Sequence, residues 1–308
     1  MKNINWSELG FGYFKTDYNV RCEYKDGKWG ELYATEDVNM NIHMASTCLH
    51  YGQEVFEGLK AFRGADGKVR LFRVEENAKR MINSGEYLKM AVPSVELFTK
   101  ACIEAVKLNA DYIPPYGSGA SLYLRPMLIG VGPQVGVKPS ADYLFAVFVT
   151  PVGPYYKDGF NCIKVIIDYD HDRAAPKGTG HVKVGGNYAA SLDSGEIAHQ
   201  TGLARVIFLD PATKQYIDEC SAANFFGIRD GKYITPDSHS VLPSITNKSL
   251  RQIAEDLGLK VEQRKVGVEE LPTFSEAGCC GTAAVISPIG SVYDPKTDKT
   301  IVYGDGKT

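Results

Sequence analysis

Three segments of the chain repeat their apolar residues every three or four positions, which is the spacing that buries one face of a helix. In residues 94–109 the apolar stripe runs from Leu97 to Val106, and Ser94 is placed to cap the first turn. The same spacing predicts helices over residues 73–88 and 246–257, with Gly258 as a stop signal after the second. We expect each helix to bury its apolar face against a core.

Three short runs rich in aromatic and β-branched residues predict strands over residues 143–150, 163–169 and 205–210. Between the first two lies TPVGPYYKDGF, whose two prolines and two glycines are typical of a linker. The strands and helices do not alternate as regularly as in a doubly wound sheet. We therefore expect an α/β fold of the α+β type with substantial antiparallel pairing. Its predicted parts are a small N-terminal domain (1–150), a linker (151–160) and a larger C-terminal domain (161–308).

Composition narrows the classes of function. The chain has 308 residues, of which 44% are hydrophobic, and a formal net charge of −3. It has no Lys- or Arg-rich run typical of nucleic-acid binding and no apolar run long enough to cross a bilayer. The N-terminal residues lack the apolar core of a signal peptide. The seven cysteines form no C-x-x-C, and the six histidines lack ligand spacing. These features predict a cytoplasmic protein without a metal site.

The segment GTGHVKVGGNY, residues 178–188, places a single lysine, Lys183, among glycines. It fails the phosphate-loop pattern, because Val182 precedes the lysine where glycine is required. It also fails G-x-G-x-x-G, since Lys183 takes the place of the third glycine, so a Rossmann-type oxidoreductase is disfavoured. Two interpretations remain: a solvated loop charge, or an amine that bonds a cofactor aldehyde.

An amine with that role needs partners, and the chain offers them. Glu219 is an acid able to pair with a pyridinium nitrogen, and Tyr188 carries a hydroxyl. Thr246 stands at a predicted helix start, where free N–H groups attract anions. The small residues around Thr282 form a turn with N–H groups to donate, and Arg80 can contact phosphate with two nitrogens.

Each of these residues also has a purely structural explanation. Thr246 is adequately explained as an N-cap, and Arg80 can pair with Glu76 one helical turn away. The turn around Thr282 can reflect close packing alone. Taken singly, the residues leave both interpretations open.

The motifs taken together, in order, resemble those of the branched-chain aminotransferases. The segments that carry the resemblance are LHYGQEVFEGLKAF (49–62), LFRVEENAKRM (71–81), LYLRPMLIG (122–130), PVGPYY (151–156), KVGGNYAASL (183–192), DECSAANFF (218–226), LPSIT (242–246) and GTAA (281–284). The resemblance implies the two-domain D-amino-acid-aminotransferase-like fold with pyridoxal 5'-phosphate at the domain interface. It also implies reversible amino transfer between L-leucine, L-isoleucine or L-valine and 2-oxoglutarate.

The resemblance also assigns roles to individual residues. Lys183 is implied to be the Schiff-base lysine and Glu219 the partner of the pyridine nitrogen, with Tyr188 on the ring hydroxyl oxygen. The phosphate site is implied to use Arg80, the N–H groups of Ile245 and Thr246, and Thr282. The substrate site is implied to use Tyr51, Phe56, Tyr123, Arg125, Tyr155, Thr282 and Ala283. In the family the loop near Val135 reaches a neighbouring subunit, which implies a homodimer.

The alternative within the same fold is a D-amino acid aminotransferase or an aminodeoxychorismate lyase, and the YLRP and PVGPYY segments argue against both. A non-catalytic binding protein of this fold is disfavoured by the full set of polar candidates. One departure concerns the mammalian redox C-x-x-C after the GTA turn, where this chain has Ala284–Ser287. A thiol switch of that kind is therefore not expected.

Overall fold

The computed structural model describes residues 2, 4–153 and 161–305. The chain folds as two compact units. Unit 1 is Met1–Lys157 together with Val182–Gly185, and unit 2 is Asp158–His181 together with Gly186–Thr308. The short segment that contains Lys183 therefore belongs to unit 1. The functional division into a small domain and a cofactor-binding domain stays a prediction.

Unit 1 is built on an eight-stranded sheet whose pairings are all antiparallel among the described residues. The spatial order is β2-β1-β8-β7-β5-β6, with β3 on β1 and β4 on β7. The strands are β1 Asn19–Lys25, β2 Lys28–Trp29, β3 Tyr33–Thr35, β4 Glu54–Phe56, β5 Leu59–Arg63, β6 Val69–Leu71, β7 Ser121–Gly130 and β8 Tyr143–Val152.

The helices of unit 1 are α1 Thr47–Tyr51, α2 Val74–Tyr87 and α3 Val95–Leu108, followed by a 3-10 turn at Ala110–Tyr112. The predictions for α2 and α3 are confirmed, and the Ser94 side chain accepts a hydrogen bond from the N–H of Leu97 as its cap. Residues of α2 and α3 share one buried cluster with residues of β5, β7 and β8. In that cluster Phe98 of α3 stacks on Phe145 of β8, with ring centroids 5.8 Å apart. Tyr123 and Arg125 alternate along β7 with the core residues Leu122 and Leu124, so they project from the opposite face of the sheet.

Unit 2 contains a nine-stranded sheet of mixed direction in the order β11-β10-β9-β16-β15-β12-β13-β14, with β17 on β16. An additional pairing of β11 with β12 closes six of these strands into a ring. The strands are β9 Ile163–Asp168, β10 Arg205–Leu209, β11 Ile217–Cys220, β12 Ala223–Arg229, β13 Lys232–Pro236, β14 Lys260–Arg264, β15 Glu276–Gly281, β16 Val285–Asp294 and β17 Lys299–Val302.

Within the described residues, the helices that follow Lys183 are α4 Gly185–Ala189, α5 Leu192–Gln200 and α6 Ile245–Asp256, with a later 3-10 turn at Val268–Thr273. The helix predicted over residues 246–257 is confirmed, but its N-cap is Ser244 rather than Thr246. Ser244 has extended dihedral angles, and its side chain accepts from the N–H of Asn247. Gly258, the predicted stop signal, has a φ of 82°. Only a residue that tolerates this left-handed conformation ends the helix without strain.

The strands predicted over residues 143–150, 163–169 and 205–210 are confirmed as β8, β9 and β10. The first extends further than predicted, since Pro151 and Val152 belong to β8 and not to a linker. Of the rest of the predicted linker, Gly153 is described and residues 154–160 lie outside the described residues. No helix in the described part of the chain has the length and hydropathy needed to cross a membrane.

Candidate active site

In unit 1, Lys183 lies between two valines that belong to the hydrophobic core. Val182 and Val184 are both buried, and they pack within the same cluster as α2 and α3. The side chain of Lys183 carries its Nζ to 4.7 Å from the centroid of the Phe56 ring. Lys183 is itself partly buried beside an aromatic ring, which is compatible with the covalent interpretation.

Phe56 also contacts a second cation, Arg125. The guanidinium carbon of Arg125 lies 4.9 Å from the Phe56 ring centroid and 5.4 Å from that of Tyr123. Arg125 Nη2 donates to the Tyr123 hydroxyl oxygen at 3.3 Å. Its Nε is buried and has no hydrogen-bond partner within the described residues. Unit 1 therefore brings together four predicted residues: Lys183, Phe56, Tyr123 and Arg125.

Two residues that the sequence did not single out complete this group. Gly58 leaves room for the Tyr123 ring, because a Cβ there would collide with the Tyr123 hydroxyl. Phe11 packs its ring edge against Tyr123 with centroids 5.1 Å apart. The aromatic character of the group therefore depends on residues far apart in the chain.

A third cation, Lys60, lies on the same face of the sheet. It stands opposite Tyr123 in the pairing of β5 with β7, so the two side chains project to the same side. Only 8% of Lys60 is exposed. Burial lowers its pKa from 10.5 to about 8, because an apolar surrounding disfavours the charged ammonium group.

We expect the buried charge of Lys60 to make folding stability depend on pH. Between pH 8 and 10.5 the unfolded chain binds more protons at Lys60 than the folded protein does, so stability rises with pH across this window. Replacing Lys60 with methionine should stabilise the protein below pH 8 by up to about 3 kcal/mol, since one pKa unit corresponds to about 1.4 kcal/mol. Denaturant unfolding at several pH values measures this effect.

The matched control is Lys68→Met, which removes an exposed lysine just before β6. The gain from Lys60→Met should disappear as the pH approaches 10.5, whereas Lys68→Met should show little change at any pH. An equal gain at every pH would show that Lys60 is not the titrating group.

Arg80, on α2, is held by a buried carboxylate. Its Nε donates to Glu57 Oε1 at 2.7 Å, and its Nη2 donates to Glu57 Oε2 at 2.8 Å. Glu57 is fully buried and also accepts from the Asn77 side chain at 2.7 Å. Glu76, the partner considered from sequence, pairs with Lys79. A two-pronged carboxylate contact of this kind fixes the plane of the guanidinium group.

Unit 2 buries the predicted acid Glu219 in β11, with 2% of the residue exposed. Its Oε1 accepts from the N–H of Leu242 at 2.6 Å and lies 3.3 Å from Arg173 Nη2. A buried carboxylate that receives an N–H bond and faces a guanidinium group is favoured in its negative form. Glu219 is therefore not a solvated carboxylate.

In unit 2, the guanidinium group of Arg173 contacts Glu219 and two main-chain carbonyl oxygens, those of Gly180 and Ser240. Arg173 Nη2 donates to the carbonyl oxygen of Gly180 at 2.8 Å and also to that of Ser240. Gly180 is close to Ser240 as well, since a Cβ at Gly180 would collide with the Ser240 main chain. Arg173 Nε is buried without a hydrogen-bond partner in the part of the chain that the structure describes.

The start of α6 presents the predicted anion site of unit 2. Ile245 and Thr246 are its first two residues, whose N–H groups have no acceptor inside the helix. Below them, Asn247 donates to Asn224 Oδ1 at 3.1 Å and to Thr235 Oγ1 at 2.8 Å. This buried network anchors the first turn on β12 and β13.

The remaining predicted site residues lie in a turn, in two short helices and outside the described part of the chain. Thr282 and Ala283 lie in the turn between β15 and β16, and Tyr188 lies in the short helix α4. Tyr51 ends α1, and its hydroxyl donates to the carbonyl oxygen of Val135. Tyr155 falls outside the described residues.

Known proteins resemble this chain over most of its length. The family model described as amino-transferase class IV matches residues 54–292. The chain is 52% identical over 299 residues to a branched-chain-amino-acid aminotransferase of Haemophilus influenzae, covering 95% of this chain and 87% of that protein. A protein of the same name from Helicobacter pylori is 52% identical over 295 residues, with the same coverage of 95% and 87%.

Solved structures agree with these relatives. The Escherichia coli branched-chain amino acid aminotransferase superposes with a TM-score of 0.77 at 29% identity, covering 95% of this chain and 90% of that one. The branched-chain aminotransferase of the thermophilic archaeon Thermoproteus uzoniensis, solved with norvaline, gives a TM-score of 0.74 at 25% identity. That match covers 92% of this chain and 89% of the other. These likenesses extend over both units.

Proposed function

Because this chain belongs to the class IV aminotransferases, we propose that it transfers an amino group reversibly between L-leucine, L-isoleucine or L-valine and 2-oxoglutarate. It is a transaminase that depends on pyridoxal 5'-phosphate. Two relatives named branched-chain-amino-acid aminotransferase, each 52% identical over 95% of this chain, carry the substrate assignment. The placement of Lys183 beside Phe56 and Arg125 supports it.

The residues present suit this cofactor in their chemistry. Lys183 offers an amine for an aldehyde, and the buried carboxylate of Glu219 offers an anion for a ring nitrogen. Arg80, with its guanidinium plane fixed by Glu57, and the first N–H groups of α6 suit a phosphate. We assign cofactor binding to Lys183, Arg80, Tyr188, Glu219, Ile245, Thr246 and Thr282.

When bound, the cofactor would supply an aldehyde carbon, which Lys183 Nζ would bond until the substrate amine displaced it, and a ring that would take up the electrons released from the substrate α-carbon. Lys183 Nζ accepts the proton that leaves that carbon and later returns a proton, which requires a neutral amine for part of the cycle. Arg173 favours the negative form of Glu219, so that this carboxylate can accept a hydrogen bond from a protonated ring nitrogen. The Tyr188 hydroxyl would donate to a ring oxygen of the bound cofactor.

The substrate site has to accept two unlike side chains, a branched alkyl group and the carboxylate of glutamate. The rings of Phe56 and Tyr123 supply apolar surface for the first. The guanidinium group of Arg125, whose Nε has no partner within the described residues, suits the second. We assign substrate binding to these three residues together with Tyr51, Tyr155, Thr282 and Ala283.

Purified protein supplied with pyridoxal 5'-phosphate and 2-oxoglutarate is expected to form glutamate from L-leucine, L-isoleucine and L-valine. The three values of kcat/KM should lie within about 200-fold of one another, since one methylene in an apolar pocket discriminates only modestly. D-Alanine, assayed in parallel, should give little glutamate. The visible absorption of the protein should change when L-leucine is added without 2-oxoglutarate.

Glutamate formed only from D-alanine would replace the substrate assignment with the D-amino acid alternative. A protein that stays colourless after incubation with pyridoxal 5'-phosphate would contradict the role of Lys183.

Assembly and location are further parts of the proposal. Val135 and Val137 are each 84% exposed, and Met44 is 80% exposed. The Tyr51 hydroxyl links the loop that contains Val135 to α1. Exposed apolar side chains of this kind favour burial against a second copy of the chain, so we propose a homodimer. We place the enzyme in the cytoplasm.

A further inference from the structure

The main chain around Lys183 is held by three hydrogen bonds within unit 1. The N–H of Lys183 donates to Ser84 Oγ at 3.0 Å, and its carbonyl oxygen accepts from the N–H of Phe56 at 3.2 Å. Two residues further on, the N–H of Gly185 donates to Glu54 Oε1. The lysine peptide is therefore fixed on both sides by α2 and β4.

Ser84 is fully buried in α2 and uses its hydroxyl in two directions. The oxygen accepts from Lys183, while the hydroxyl hydrogen is donated to the carbonyl oxygen of Arg80 at 2.8 Å. Both bonds fix the orientation of the hydroxyl group. Ser84 thus joins the main chain of the lysine to the helix that carries Arg80.

Glu54 holds the other side of the segment. Gly185 lets the carboxylate approach the main chain closely, because a Cβ at that position would displace the Glu54 carboxylate. Burial raises the pKa of Glu54, and the N–H of Gly185 acts against this rise. The contact therefore stabilises the charged carboxylate in a half-buried position.

We propose that Ser84 and Glu54 are positioning residues that hold the Lys183 main chain so that its Nζ stays beside the Phe56 ring. This inference rests on the proposed role of Lys183 in amino transfer. A lysine side chain has four rotatable methylenes, so its amine is placed reproducibly only if its Cα is fixed. A displacement of about 1 Å in a reacting group lowers a rate by about 100-fold.

The test compares Ser84→Ala and Glu54→Leu with Glu54→Gln, which keeps an oxygen to accept from Gly185. Ser84→Ala and Glu54→Leu should each lower kcat by about tenfold and leave KM for L-leucine within about twofold. The cofactor-free protein should also react more slowly with pyridoxal 5'-phosphate, followed by the rise of visible absorption. Glu54→Gln should keep most of the parent kcat and most of the parent rate of cofactor uptake, unlike Glu54→Leu.

Ser94→Ala is the matched control, because the Ser94 hydroxyl also accepts from a main-chain N–H, that of Leu97 at 3.1 Å. Its kcat and its rate of cofactor uptake should equal those of the parent protein. If Ser84→Ala or Glu54→Leu behaves like Ser94→Ala, the positioning role of that residue is overturned.

If Ser84→Ala does not fold, the comparison of Glu54→Leu with Glu54→Gln decides the inference. Equal rates in those two variants would overturn it, and recovery in Glu54→Gln alone would support it. Failure of the parent protein to transfer amino groups would overturn the proposed function instead, which separates the two outcomes.

Discussion

Lys183→Ala is expected to lower kcat for amino transfer by at least about 10⁴-fold, because one substitution removes both the covalent attachment point and the proton acceptor. The fold should persist. Val182 and Val184 stay in the core, and the main-chain hydrogen bonds to Ser84 and Phe56 do not involve the side chain. Steady-state kinetics measures the loss of turnover. Mass spectrometry of the protein after reduction with borohydride measures the loss of covalent cofactor attachment.

Lys79→Ala is the appropriate control for that experiment. Lys79 is exposed and lies next to Arg80 on α2, where its ammonium group pairs with Glu76. Its variant should keep the parent kcat and the mass increase from reduced cofactor. Retention of turnover in Lys183→Ala would remove the basis for assigning the catalytic amine to this residue.

Glu219→Gln is expected to have the second largest effect. The amide keeps the size of the carboxylate and an oxygen for the N–H of Leu242, but it removes the negative charge. We expect kcat to fall by about 100-fold, because a neutral amide no longer favours a protonated ring nitrogen. The free energy of unfolding should fall by about 3 kcal/mol, since the buried Arg173 loses the carboxylate that lies 3.3 Å from its Nη2.

Kinetics and denaturant unfolding of the same preparation test both parts of that expectation. Glu276→Gln, at an exposed position of β15, removes a carboxylate from the same unit without a buried partner and should change neither quantity. A Glu219→Gln protein with the parent kcat would mean that the ring nitrogen is served by another group. A Glu219→Gln protein with unchanged stability would mean that the Arg173 contact adds no net free energy to the folded state.

Local patterns predicted the long helices well. In α3, each apolar residue of the stripe lies within four positions of the next, and Ser94 caps the N–H of Leu97, three positions away. These short spacings can be read directly from the sequence. The N-cap of α6 was harder, because Ser244 and Thr246 are both acceptable capping residues in the same five-residue stretch. The network around Asn247 is not visible in a local pattern.

Residues that support the predicted site were missed for a different reason. Glu57, Glu54 and Ser84 look like ordinary polar residues of strands and helices in the sequence. Their partners are 23, 131 and 99 positions away, respectively. A charged residue inside the apolar stretch VFEGLKAF was the available signal, because a buried carboxylate is stable only when it is paired.

The sequence alone determined the positions of α2, α3 and α6 and of β8, β9 and β10, and the resemblance of its ordered motifs to one family, because each pattern or motif consists of residues near each other in the chain. Only the tertiary structure decided which side chains surround Lys183, how Glu57 holds Arg80 and that Arg173 faces Glu219. These contacts join distant segments, and burial then determines which charges must pair and how their pKa values shift.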